Sequence, residues 1–83
     1  MKKVPSSVTL PGGYQISVNI MQKREADKEM SEGSYAEWDV GERAINLRAC
    51  RRGQDRVEDF VHEMGHAMVD WADWFLGKTE KED

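Results

Sequence analysis

At 83 residues the chain makes one small domain, near the size where a single hydrophobic core is barely sufficient, so a bound metal or a partner would add useful stability. A net charge of −4 and a pI near 5.1 argue against a nucleic-acid backbone as the main partner. No apolar run is long enough to span a bilayer, the Met1-Lys2-Lys3 start lacks a signal-like apolar segment, and the lone Cys50 cannot form an internal disulfide, so a soluble, cytoplasmic protein is expected.

In chain order, Val8 to Leu10 reads as a short strand and Pro11-Gly12-Gly13 as a turn. Tyr14 to Met21 alternates, with Ile16, Val18 and Ile20 on one face and Gln15, Ser17 and Asn19 on the other, as in a half-buried strand. The pair predicts a hairpin. Lys23 to Ser34 is rich in charge and ends in Glu32-Gly33-Ser34, which suits a loop with a helical turn at most. Tyr35 to Val40 alternates again, with Ala36, Trp38 and Val40 opposite Tyr35, Glu37 and Asp39. Gly41-Glu42-Arg43 fits a tight connection to Ala44–Cys50, whose Ile45, Leu47 and Ala49 point inward.

From Asp55 to Leu76 the periodicity becomes helical. Asp55 suits the N-cap with Glu58 three residues on, and Gly77-Lys78 suits the C-terminal end. The projected core stripe is Val57, Met64, Met68, Trp71 and Phe75. Thr79 to Asp83 is a polar tail, and residues 78–83 fall outside the packed unit. Arg48, Arg51, Arg52 and Arg56 form the only basic concentration, read as a solvated approach to the helix. The order hairpin, loop, hairpin, long helix predicts an α+β fold: a small antiparallel or mixed sheet covered on one face by the C-terminal helix, spanning 1–83 as one domain.

The helix carries His62-Glu63-Met64-Gly65-His66, an H-E-x-x-H pattern that uses both histidines of the chain. Residues four apart lie one turn apart on the same helix face, so two imidazoles can reach one ion. Glu63, rotated by about 100°, is set to act as general base on a water that the ion activates. Zn²⁺ suits such donors because it accepts imidazole nitrogen and carboxylate oxygen and tolerates an open position. Both histidines project away from the apolar stripe, toward solvent.

With its preceding hairpin, the segment Val61-His62-Glu63-Met64-Gly65-His66-Ala67-Met68 resembles the active-site region of zincin-like metallopeptidases. It is most similar to the small H-E-x-x-H proteins of phages and prophages, over roughly residues 14–76. In these, a strand pair like Tyr35-Ala36-Glu37-Trp38-Asp39 and Ile45-Asn46-Leu47 leads into the metal helix. The resemblance implies a zinc-dependent peptidase acting on a peptide or protein substrate. It further implies that Ala44 to Cys50, through Ile45, Asn46, Leu47 and Arg48, forms the sheet edge that pairs with that substrate.

The chain departs from the family where the third ligand should be. Only 17 residues follow His66, so the downstream helix that usually carries a ligand glutamate is missing, and the metzincin extension is absent, with Val69 and Ala72 in its places. Four carboxylates remain. Asp73 shares the face of His66 but lies about 10.5 Å along an unbroken helix. Asp70 suits a supporting hydrogen bond or solvent. Glu80 and Glu82 return to the site if the chain turns at Gly77, and Glu80 is the preferred third ligand with His62 and His66; the alternative is a two-histidine site completed by waters or by another subunit, which binds zinc poorly or conditionally. Asp59 is placed either to orient His62 or in solvent. Trp71, Trp74 and Phe75 are core by spacing, with a protein partner or a second copy as the other reading. Set against the peptidase stands a non-catalytic relative of the same fold that binds or regulates without turnover; an accidental motif in a plain α+β protein is the third reading.

Overall fold

The computed structural model describes residues 4–80, with side chains described through residue 77. Its elements are β1 (Ser7–Leu10), β2 (Tyr14–Met21), α1 (Lys23–Glu29), β3 (Ala36–Asp39), β4 (Ala44–Arg48) and α2 (Gly53–Glu80). The four strands form one mixed sheet in the order β1-β2-β4-β3. The α+β architecture expected from the pattern is therefore the one observed.

Both hairpins form where alternation and turn residues place them. Leu10 pairs with Tyr14 across Pro11-Gly12-Gly13, and both glycines take positive φ (+89° and +81°), a backbone open to them because they lack a Cβ. Asp39 pairs with Ala44 across the second turn. There Arg43 takes a left-handed φ of +52°, the Asp39 carboxylate accepts from the Glu42 N–H, and the Arg43 carbonyl accepts from Ser17 N–H. The Arg43 guanidinium lies 4.1 Å from the Tyr14 ring centroid, which gives the strained residue a cation–π contact.

The hairpins join through a parallel pairing of β2 with β4, Val18 opposite Ile45 and Ile20 opposite Leu47. This corrects the assignment of Ala44–Cys50 to a sheet edge. β4 is interior, with β2 on one side and β3 on the other, so its main chain is committed to the ladders and has none free for a peptide. Ile45 and Leu47 are buried in the core against α2. Asn46 turns to the opposite face and accepts a hydrogen bond from Asn19 Nδ2 at 3.0 Å. The free edges are β1 and β3.

A crossover is needed to bring β4 parallel to β2, and the charged stretch after β2 supplies part of it as a seven-residue helix rather than a loop. Ala26 and Met30, spaced to share a helix face, bury against Met21 on the side of the sheet opposite α2. Both sheet faces are thus covered, one only locally. The Asp27 carboxylate bridges Lys23 Nζ and Arg48 Nη1, each at 2.9 Å, and ties α1 to β4.

The long helix α2 crosses the other face. Its buried line is Ala67, fully enclosed, flanked by Phe60, Met64, Trp71 and Trp74. The line is rotated from the expected stripe: the small Ala67 is 0% exposed in the core cluster while Met68 is 47% exposed. The helix starts at Gly53, two residues before the expected cap, with Asp55 in the first turn where a carboxylate complements the helix dipole. It also continues through Gly77 to Glu80, since one glycine costs a helix only about 0.5–1 kcal/mol.

Candidate metal centre

The basic link between β4 and α2 positions the motif helix. Arg56 donates from Nε to the Arg51 carbonyl (2.9 Å) and from Nη2 to the Ala49 carbonyl (3.0 Å), closing the turn that leads into α2. Arg51 reaches Asp59 through Nε (3.0 Å) and Nη2 (3.3 Å) and lies 4.4 Å from the Tyr35 ring centroid. The hydrogen bond to Asp59 holds the Arg51 guanidinium above its ordinary pKa. Arg48 binds the Ser34 carbonyl and Asp27. Of the four arginines read as a solvated approach, Arg51 and Arg56 are therefore staples at the helix entry, and Arg48 ties α1 and the segment before β3 to β4. Asp59 is likewise engaged by Arg51 rather than by His62.

Further along the helix, Asp70 accepts a 2.5 Å hydrogen bond from Trp38 Nε1 and pins α2 over β3. At the far end Trp71 Nε1 donates to the Pro11 carbonyl at 2.9 Å, and the Trp74 ring packs on Tyr14 with centroids 5.1 Å apart. Trp71 and Trp74 thus seat on the first hairpin of their own chain, and Phe75 stacks beside Trp71 at 5.4 Å.

Between these fixed points lie the two histidines, both exposed, as expected from their projection. Their Nε2 atoms approach to 3.3 Å, with ring centroids 5.0 Å apart and planes at 76°. Two nitrogens each about 2.0–2.1 Å from a tetrahedral zinc ion lie about 3.3 Å apart. The pair is therefore spaced as two corners of a zinc tetrahedron, and the fit rests on the rings alone.

Glu63 sits on the inner side of the pair and is only 8% exposed. It makes no hydrogen bond, yet no side-chain oxygen among the described residues is both buried and unpartnered, so both carboxylate oxygens keep access to solvent. That combination suits a base in a sheltered place. The third ligand is a different matter. The turn at Gly77 that would return Glu80 to the site is not formed, and fourteen helical residues place its backbone about 21 Å beyond His66. The helix is unbroken, and the side chains of Glu80 and Glu82 lie outside the described residues. Among the described residues, no group of three or more His, Cys, Asp or Glu side chains is gathered to hold an ion.

Of the four residues expected to face substrate, Ile45 and Leu47 are core and Asn46 is on the rear face. Arg48 borders a cleft of about 770 Å³ between α1 and the segment before β3, also lined by Met21, Asp27, Tyr35 and Arg52; neither histidine lines it. Comparison of the chain with protein-family models, with the curated proteins and with the solved structures gives no match. The geometry stands on its own.

No helix of the described residues is long and apolar enough to cross a membrane.

Proposed function

We propose that the chain is a zinc-dependent hydrolase of the zincin type that acts on peptide bonds, with His62 and His66 as metal ligands and Glu63 as general base. The observation that carries this reading is the 3.3 Å approach of the two Nε2 atoms on the exposed side of a pinned helix. A zinc ion held there supplies Lewis acidity and brings the ionisation of water toward neutral pH. Glu63 takes up the proton of the attacking water and delivers it to the leaving amine; its low exposure keeps the carboxylate oriented while its oxygens still meet solvent. An extended peptide has one free strand beside this flank of the helix, β3, to which Trp38 and Asp70 link the metal helix. The exposed, unpaired Cys50 fits a reducing cytoplasm, including that of a phage host.

A non-catalytic, metal-binding relative is the second reading, favoured by the lack of a third ligand gathered at the site among the described residues. One series of measurements separates the two. For the hydrolase, the purified protein carries close to one zinc per chain and cleaves an unstructured protein in a chelator-sensitive manner, and Glu63→Gln keeps the metal while losing cleavage. Metal retained with no cleavage by the unsubstituted chain selects the second reading. A chain whose metal content is zero, and is unchanged by His62→Ala and His66→Ala, refutes both.

A further inference from the structure

Between Val61 and Leu76 the outer face of α2 is apolar and solvent-exposed among the described residues. Val61, Met68, Val69 and Leu76 are 60%, 47%, 63% and 58% exposed, four of the seven large hydrophobic side chains on the surface. With Gly65 and Ala72 they fall within a band about 100° wide, centred nearly opposite the sheet-facing Ala67, at about 100° per residue. Gly65 and Ala72 leave the band low enough for another helix to approach closely.

The band is self-complementary. When a second copy of α2 is laid antiparallel across it, with a two-fold axis between Met68 and Val69, Val61 stands opposite Leu76, Gly65 opposite Ala72 and Met68 opposite Val69. Each residue of the band then faces one that faces it in turn, the reciprocal pairing of an isologous interface.

The same operation acts on the neighbouring flank. His62, His66 and Asp73 lie on one side of the band, and a two-fold axis perpendicular to the helix pair keeps that flank on the same side in both copies. Asp73 of the partner copy then falls level with Met64, midway in height between His62 and His66. Within one chain Asp73 lies about 10.5 Å beyond His66 along the helix, too far for one ion. Across the pair that offset disappears. Of the four aspartates on the flank, Asp55 and Asp59 lie against Arg51 and Asp70 is bound to Trp38, whereas Asp73 is exposed and makes no hydrogen bond or ion pair.

We propose that the chain works as an antiparallel dimer through the outer face of α2, and that Asp73 of each copy completes the two-histidine metal centre of the other. The proposal rests on the metal-binding reading of His62 and His66 and adds its missing ligand. Zinc binding and association are then linked, each strengthening the other.

The full chain is tested by sedimentation equilibrium and by zinc titration in parallel. The expected result is a dimer favoured by zinc, with two zinc ions per dimer. Asp73→Asn is expected to weaken zinc binding by more than about tenfold, since loss of even an outer-shell partner commonly costs that much; Met68→Glu gives a monomer with similarly weakened binding. The decisive arm mixes Asp73→Asn chains with His62→Ala/His66→Ala chains. Neither alone has a complete site, yet the mixed dimer pairs the intact histidines of one with the intact Asp73 of the other, so tight binding returns at one zinc per mixed dimer. A monomer that binds one zinc at an affinity unchanged by Asp73→Asn overturns the dimer and leaves the metal reading standing. Absence of zinc binding by the unsubstituted chain overturns both, and failure of the mixture to recover tight binding overturns the shared site.

Discussion

The hydrogen bond from Trp38 Nε1 to Asp70 fixes how α2 is turned about its own axis over β3, and it can be tested with a double-mutant cycle. Both partners are part-buried at 2.5 Å, and the acceptor is a carboxylate oxygen. A hydrogen bond to a charged group contributes about 1.5–3 kcal/mol, and partial exposure puts this one near the lower end. Trp38→Phe removes the donor and some packing, Asp70→Ala removes the acceptor, and the cycle isolates the coupling because the packing loss is common to both edges. The expected coupling is about 1.5 kcal/mol, equivalent to roughly 6–12 °C in melting temperature for a domain of this size. Urea unfolding of the four proteins, followed by tryptophan fluorescence and circular dichroism together, measures it. Additive effects, with a coupling below about 0.5 kcal/mol, refute the argument that this contact sets the angle at which the histidines are presented.

Three further outcomes follow from other contacts. Ile45→Ala in the interior strand removes a fully buried side chain from the centre of the core and should cost about 2–5 kcal/mol in a urea titration. Gly12→Ala forces a side chain onto a φ of +89° and puts its Cβ 3.0 Å from the Trp74 ring; a loss of about 1–3 kcal/mol is expected by thermal unfolding, with quenching of the Trp74 environment. Hydrogen bonds from Lys23 and then Arg48 hold the Asp27 carboxyl below its usual range. Its folded pKa is therefore depressed, so its contribution is present above the ordinary carboxylate value and is lost as pH falls through the folded one. The stability gap between the unsubstituted chain and Asp27→Asn should shrink between about pH 6 and pH 2, and a gap independent of pH contradicts the bridge.

Much of this architecture is legible in the residues. The alternation of Ile16 and Val18 against Gln15 and Ser17, with Pro11-Gly12-Gly13 before it, is enough to place the first hairpin. The three- and four-residue spacing from Phe60 to Trp74 is enough to place the long helix. Period-two patterning says which face a strand buries but not which strand lies beside it, and so the parallel union of β2 with β4, and with it the interior position of Ile45 to Arg48, could not be read. The helix rotation was missed for a related reason: weighting by size favoured Met68 over Ala67, whereas close packing against Tyr14, Ile16 and Ile45 favours the smaller residue. The charge of Lys23 to Glu29 concealed a short helix whose apolar content is little more than Ala26. The histidine pair was legible because its geometry is local, one turn of one helix. The fate of Glu80 was not, because its return depends on a turn at Gly77, and the helix instead runs on to Glu80.

The parallel seam between β2 and β4 has a further consequence for how the protein comes apart. Its partners are 27 residues apart in sequence, as Asn19 and Asn46 are, and until they meet there is no platform for Ala67 to rest on. The contacts that hold α2, from Ala67 in the core cluster to Asp70 on Trp38 and Trp71 on the Pro11 carbonyl, are all made to the sheet and its first hairpin. The close approach of the two imidazoles and the packing of the whole domain should consequently be lost together, and no loosened state should exist in which the histidine turn outlives the seam.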